Sequence, residues 1–303
     1  MPISRLLPAS FEQPNPTNLV INGDMSCWQR SASASATGYT SVDRWSYYAP
    51  SSLAVSRSTD VPTGFQYATS VGGGGDSSGL TQKIEASSCK QLVGATITVS
   101  FYLKQTTGSG TDKIAVALAR ANSEDNFGGT TSISSQTISS TSSYARYTCT
   151  FTSLPTEVAN GLQLTIKSNG SGAVVYLITG VCLNVGSHAI DFPHEPYAEN
   201  LQKCLRYYQK HLGWITHFNR GLDANYDAHV VQNGVGIVGF MRATPTETIA
   251  NVYRWDAGDS NWTSDSTAFS AAISSNSQTF VEGYYGRQNC NAVKADWELI
   301  AEL

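Results

Sequence analysis

The chain predicts a mainly β protein: an N-terminal jelly-roll β-sandwich, one connecting helix and a smaller C-terminal antiparallel β domain. Three observations carry that reading. Alternating runs recur along the 303 residues, the clearest placing Ile97, Val99, Phe101 and Leu103 on one side and Thr96, Thr98, Ser100 and Tyr102 on the other. Clusters of Gly, Ser, Thr and Asn, such as Thr107 to Gly110 and Ser168 to Gly172, punctuate those runs. Helical spacing is confined to Glu195 to Gly213, where Leu201, Leu205, Tyr208 and Leu212 share a face, Pro196 stands near the start and Gly213 where a cap belongs.

Taken in order, residues 1–17 hold prolines at 2, 8, 14 and 16 and predict an extended arm suited to docking on another protein. Residues 18–194 predict the jelly roll. Its strands are expected at Leu19 to Ile21, Trp45 to Tyr48, Gly94 to Lys104, Lys113 to Arg120, Ala145 to Thr152, Gly161 to Lys167 and Ala173 to Asn184, with Phe127 to Thr131 among the turns. Residues 195–213 predict the connecting helix, its apolar stripe and tyrosine pair suited to self-association. Residues 214–303 predict the second β-sandwich domain, with strands at Ala228 to Phe240, Thr246 to Trp255, Ser266 to Ile273, Thr279 to Tyr285 and Ala295 to Ile300.

Charged residues make up 14% of the chain, against a globular norm of about 25%, and the formal net charge is -4. No basic run is present to hold nucleic acid. No apolar stretch reaches the roughly 18 residues of a membrane span, so membrane insertion is not expected. The cysteines at 27, 89, 149, 182, 204 and 290 have neither CxxC spacing nor a compact framework, and read as buried thiols in a reducing cytosol rather than as disulfides.

Catalytic constellations are weak, and no enzyme is expected. Gly75 to Gly79 matches G-x-S-x-G, but Leu80 to Ile84 continues as β where a nucleophile elbow needs a helix. The five histidines between 188 and 229 lack a shared-ligand spacing. The pairs Asp223/Asp227 and Asp256/Asp259 read as solvated turns rather than as a glycosidase acid and base. Asn22, Asp24 and Asp191 are candidate oxygen ligands for a structural calcium ion, and no other cofactor is expected. Trp255 and Trp262 flank the polar loop 256–261; with Tyr253 and Asp256 they are the candidate carbohydrate-binding residues, since rings stack on sugar faces while polar neighbours satisfy the hydroxyls. Trp28 and Trp45 are expected mainly in a core.

The segment from Asn18 to Arg30, NLVINGDMSCWQR, followed by Gly38 to Trp45, GYTSVDRW, resembles the opening of a family of phage and prophage tail proteins. Leu80 to Lys104 is similar to the central part of carbohydrate-binding-module jelly rolls. Phe192 to Tyr208, FPHEPYAENLQKCLRYY, and Phe240 to Thr246, FMRATPT, are similar to that tail family's boundary and second-domain motifs, with Glu195 and Leu205 departing from its usual Arg and Gln. The resemblance implies a virion structural protein, assembled in the host bacterial cytoplasm and acting at the host surface. On this reading it is a tail fibre or spike component that adheres to glycan as an oligomer, a homotrimer being the natural form, with other virion proteins held through the arm. A capsid decoration or head-fibre protein is the alternative placement, and a polysaccharide depolymerase the second alternative. The motif positions Asn22, Trp28, Arg30, Asp43, Arg44, Trp45, Arg206, Tyr207 and Tyr208 are expected to be structural. Asp43 and Arg44 should form an ion-pair couple beside Trp45 that Arg30 joins, and Arg206, Tyr207 and Tyr208 should stand on the helix.

Overall fold

The computed structural model describes residues 18–49, 54–73, 77–108, 113–169, 173–217, 229–236, 241–256, 262–264, 269–272, 280–285 and 290–303. The expected arm, residues 1–17, lies outside them. In chain order the strands are β1 (Ser33–Ala34), β2 (Ser46–Tyr48), β3 (Ala54–Ser58), β4 (Ala68–Gly73), β5 (Gly79–Ile84), β6 (Ile97–Thr107), β7 (Lys113–Ser123), β8 (Asn126–Ser139), β9 (Ala145–Phe151), β10 (Leu162–Ser168), β11 (Val174–Val185), β12 (Tyr208–His217), β13 (His229–Gly236), β14 (Thr246–Asp256), β15 (Thr263–Ser264), β16 (Phe269–Ala272), β17 (Phe280–Tyr285) and β18 (Cys290–Ile300). The α-helices are α1 (Ala86–Cys89) and α2 (Tyr197–Leu205). The protein is mainly β, built from antiparallel sheets.

The chain divides into two compact units. The first holds residues 1–25, 35–38 and 46–194, and the second residues 26–34, 39–45 and 195–303. Two short pieces of the N-terminal region are thus part of the second unit, a partition that linear sequence order does not suggest.

In the first unit, β3-β4-β11-β6-β9 form one antiparallel sheet and β2-β5-β10-β7-β8 another. Period-two alternation gives each an apolar face: Ile97, Val99, Phe101 and Leu103 are fully buried on β6, as are Leu162, Leu164 and Ile166 on β10. Tyr176 of β11 spans the sandwich, its hydroxyl donating to the Ile166 carbonyl at 3.2 Å and the Ser78 carbonyl at 3.3 Å. Burying a tyrosine without those acceptors would leave its hydroxyl desolvated at a cost of about 1–3 kcal/mol. Gly180 interrupts β11 at φ +63°, where a side chain would meet the Phe65 and Tyr102 rings. The pairing with β6 shifts register there, a bulge that glycine permits.

Three expectations are corrected. Leu19 to Ile21 is a turn, not a strand. Only the Leu19 amide makes a backbone bond there, to the Leu183 carbonyl at 3.0 Å, and side chains meet the rest: Asn18 accepts from the Val20 amide at 3.0 Å and the Leu183 amide at 2.9 Å, and Gln82 exchanges two 2.8 Å hydrogen bonds with the Ile21 backbone. Phe127 to Thr131 is part of strand β8 rather than a turn. The helix is short, ending at Leu205, and the buried residues on it are Asn200 and Cys204 instead of the leucine stripe. Tyr208 already opens β12, whose residues pair with β18 from Tyr208↔Ile300 onward; that ladder wins over local helical spacing.

In the second unit β12-β18-β14-β15 form a four-stranded sheet and β13-β17-β16 a three-stranded one. Met241, Ala295, Trp297, Leu299 and Ala301 make a buried cluster, with Ile249 and Val252 against it. The cysteines at 27, 89, 149, 182 and 204 are buried. Burial pushes Cys89 up to about 12 and Cys149 and Cys182 up to about 11, keeping them protonated and inert.

Candidate functional site

The solvent face of the β2-β5-β10-β7-β8 sheet carries an open groove of about 500 Å³. Register builds it row by row. A central row runs Ser46, Thr81, Thr165 and Ala117 across four adjacent strands. On one side lies the row Lys83, Gln163, Ala119 and Ser132, and on the other Tyr48, Gly79 and Lys167. These are the alternate positions of the strands whose other residues, Leu80, Leu164 and Ile166 among them, fill the core.

The floor is therefore small and apolar at Ala117 and Ala119, and hydrogen-bonding groups surround it. Thr81 and Thr165 join hydroxyls at 3.0 Å, and the Gln163 amide reaches Thr165 Oγ1 at 3.5 Å. Tyr48 is 54% exposed at the rim, an aromatic ring offered to solvent. Gly79 lies between Tyr48 and Lys167 in the register, and a Cβ there would stand 2.5 Å from the Lys167 Cβ, so glycine lets the strands close under the groove. The Lys83 ammonium sits 5.4 Å from the Phe127 ring centroid. Among the described residues that line the groove there is no carboxylate. The arrangement suits reversible binding of a hydroxyl-rich ligand by one ring, several hydroxyls, an amide and two amines.

The motif residues have a different role, inside the second unit. Arg30 bonds Asp43 at 3.3 Å and Glu302 at 3.0 Å, with its guanidinium 3.6 Å from the Tyr208 ring centroid. Arg44 pairs with Glu302 and lies 3.4 Å from the Tyr207 ring centroid. Gln29 donates to Asp43 at 2.9 Å and to the Tyr208 carbonyl at 3.3 Å, while the Tyr39 hydroxyl reaches the Leu303 carbonyl at 3.5 Å. Arg242 of the second-domain motif donates to the carbonyls of Ala301 at 3.1 Å and Glu302 at 3.5 Å.

Burial pushes the Asp43 carboxyl up to about 6 even though Gln29 and Arg30 pull it back, and raises Tyr39 to about 12. Burial alone would lower Arg44, but the Glu302 carboxylate together with Tyr207, Tyr39 and Cys204 outweighs it and keeps the guanidinium charged. Asp43 is thus partnered by Arg30, while Arg44 turns to Glu302. Arg44 sits at φ +70°, in the left-handed region of backbone conformation. Trp45 is fully buried, as expected, whereas Trp28 is half-buried. Arg206 caps the helix, Tyr207 lies in the following turn and Tyr208 in β12, so none of the three stands on the helix proper.

Of the proposed sugar-binding residues, Tyr253 is half-buried on β14 and Trp262 half-buried just ahead of β15. Trp255 and Asp256 belong to β14, with side chains outside the described residues, as is the loop 257–261. Among the described residues no group of three or more His, Cys, Asp or Glu is placed to hold a metal ion. Asn22 is buried at φ +55°, Asp24 accepts a hydrogen bond from Thr179 through its carbonyl at 3.1 Å, and Asp191 is an exposed partner of Arg146 at 3.4 Å. The groove residues were missed in the sequence; the signal was the polar half of an alternating strand, Gln163, Thr165 and Lys167.

No protein-family model matches the chain, and no curated protein sequence matches it. Solved structures similar to it include the CBM22-1 xylan-binding domain of Paenibacillus barcinonensis Xyn10C, at 12% identity and a TM-score of 0.38, covering 57% of this chain and 97% of that one. The C-terminal family 22 carbohydrate binding module of Clostridium thermocellum Xyn10B gives 13% identity and a TM-score of 0.37, over 51% of this chain and 93% of the module. The enzymatically active domain of tailspike protein 4 from bacteriophage CBA120 gives 18% identity and a TM-score of 0.36, over 56% of this chain and 21% of that one.

Proposed function

We propose that the protein is a non-catalytic, saccharide-binding component of a phage virion that holds host-surface glycan in the groove of its first unit. The observation that carries the binding role is the groove: a small apolar floor at Ala117 and Ala119, hydrogen-bonding side chains around it and the half-exposed Tyr48 ring at its rim. Its lining supplies recognition without an acid and base pair, which favours adhesion over depolymerisation. The virion placement is supported by the tail-protein motifs at 18–45, 192–208 and 240–246. An open, shallow site of this kind binds weakly alone, and self-association into a trimer would multiply it by avidity.

The test is binding of the purified protein to a panel of bacterial surface polysaccharides by isothermal titration calorimetry. At least one ligand is expected to bind, without release of reducing ends. Tyr48→Ala is expected to weaken it about fivefold, the equivalent of about 1 kcal/mol for one ring contact. Full affinity in Tyr48→Ala together with a groove-blocking Ala117→Trp variant would remove the site, and steady liberation of reducing sugar would make the protein an enzyme.

A further inference from the structure

Edge strands of the first unit differ in how they are protected. An edge presents backbone N–H and C=O groups to any other strand, and proteins blunt it by shortness, charge, proline or a bulge. β2 is three residues long. β9 carries Arg146, and the Gln136 amide donates to its Thr150 carbonyl. β8 stands at the end of its sheet beside β7 and, at fourteen residues, is the longest strand among the described residues. It contains no Asp, Glu, Lys, Arg, His or Pro, although 14% of the chain is charged. Two register shifts against β7 bend its first half, but Ser134 to Ser139 pair with Leu118 to Lys113 in six consecutive steps. That stretch is about 20 Å of regular strand, and Ser134, Ser135, Thr137 and Ser139 on it are exposed. Charge decides what such an edge accepts. Like charges directly opposite one another destabilise a strand pair, so a charged edge rejects its own copy. β8, neutral throughout, meets itself in any antiparallel register without opposing two charges, and Ser and Thr hydroxyls facing across the seam add hydrogen bonds. A second copy also brings a strand already formed, so pairing orders no loose segment.

We propose that β8 is a self-association edge, at which the Ser134 to Ser139 stretches of two copies pair antiparallel about a two-fold axis. About six backbone hydrogen bonds form across the seam. The axis that relates antiparallel neighbours in one sheet is normal to that sheet, so both copies present the same face to the same side. The groove reaches this edge through Ser132, and the pair turns two grooves toward one surface. That consequence rests on the saccharide-binding reading; the pairing itself does not. The contact joins two copies and leaves any threefold contact to other surfaces.

The experiment measures association of the full chain by sedimentation velocity from about 1 to about 300 μM, a range that brackets a weak strand-edge contact. A concentration-dependent two-copy species is expected. Thr137→Lys and Thr137→Glu, each setting like charges across the seam, should weaken its formation about fivefold, and an equimolar mixture of the two variants should restore it. Recovery in the mixture requires β8 to face β8, since no other surface is altered. Thr137 is exposed and outside the groove lining, so both variants should melt with the wild type and keep its affinity for a soluble oligosaccharide. A chain that stays monomeric throughout the range, or an oligomer of any size that neither variant disturbs, overturns the proposal and leaves the groove reading standing. Pairing by a chain that binds no saccharide overturns the groove reading alone.

Discussion

The groove of the first unit and the charged cluster of the second use the same kinds of side chain to opposite ends. In the cluster, Arg30 and Arg44 meet Asp43 and Glu302, with the Tyr207 and Tyr208 rings stacked on the guanidinium planes, and all four charged side chains are 8% exposed or less. In the groove, hydroxyls, an amide and two half-buried amines surround a small apolar floor open to solvent. A chain with so few charges spends four of them where they touch nothing but protein. Desolvating ions is expensive, and only mutual pairing and hydrogen bonds offset it; the cluster is thus a device of specificity, fixing which segments meet. Polar groups in an open groove make weak but adaptable contacts, which suits a ligand that comes and goes.

The contrast can be broken most sharply at Arg44. Arg44→Ala removes the stack on Tyr207 and leaves Glu302 buried with Arg30 as its remaining cation. A loss of about 3–5 kcal/mol in denaturant unfolding is expected, with saccharide affinity of the folded fraction unchanged; unchanged stability with lost binding would invert the assignment of the two regions. Asp43 comes next. Its folded carboxyl titrates near 6, above the usual 3.8, so the folded state takes up the proton first as the pH falls. Asp43 therefore contributes stability that is present at pH 4 and is lost as the pH rises through 6. Relative to Asp43→Asn, the wild type should gain on the order of 2 kcal/mol between pH 7 and pH 4, read from melting curves; a difference that does not move with pH would refute it. The Tyr48→Ala loss described above is smaller and confined to binding. Least is expected from Thr165→Val, which breaks the hydroxyl pair with Thr81 at 3.0 Å: a few tenths of a kcal/mol in stability, seen by differential scanning calorimetry, and a slight loss of affinity.

Strands with one apolar face were legible in the sequence. The alternation of β6 and β10 and the runs of β14 and β17 lie close to where pattern placed them, while β18 begins at Cys290, five residues before the expected Ala295. Strand β8 was not, because thirteen of its residues from Phe127 onward include no run that is apolar on one face; it is a sheet-edge strand, largely exposed, and Ser and Thr there read as turn. The end of α2 was illegible for the opposite reason. Helical spacing through Leu212 is genuine, but the partner that turns Tyr208 into a strand lies on β18. The cluster was half legible. Arg30, Asp43 and Arg44 were marked as pairing residues, while Glu302, at separations of 272 and 258 residues from the two arginines, carried no local signal. The groove was hidden because sequence reading followed large aromatics, and most of the groove is threonine, alanine, glutamine and lysine, residues that acquire meaning only when register sets them side by side.

Glu302 also fixes a sequence of events. The second unit takes residues 26–34 and 39–45 and closes them against Glu302, which lies 272 residues after Arg30 and 258 after Arg44. On a ribosome the strands of the first unit are complete long before Glu302 emerges, so during synthesis Arg30 and Arg44 must wait without their carboxylate while the intervening residues are polymerised. The early segment stays unlatched until Glu302 has been made: a chain interrupted before that residue would hold every strand of the first unit and an incomplete charged cluster in the second.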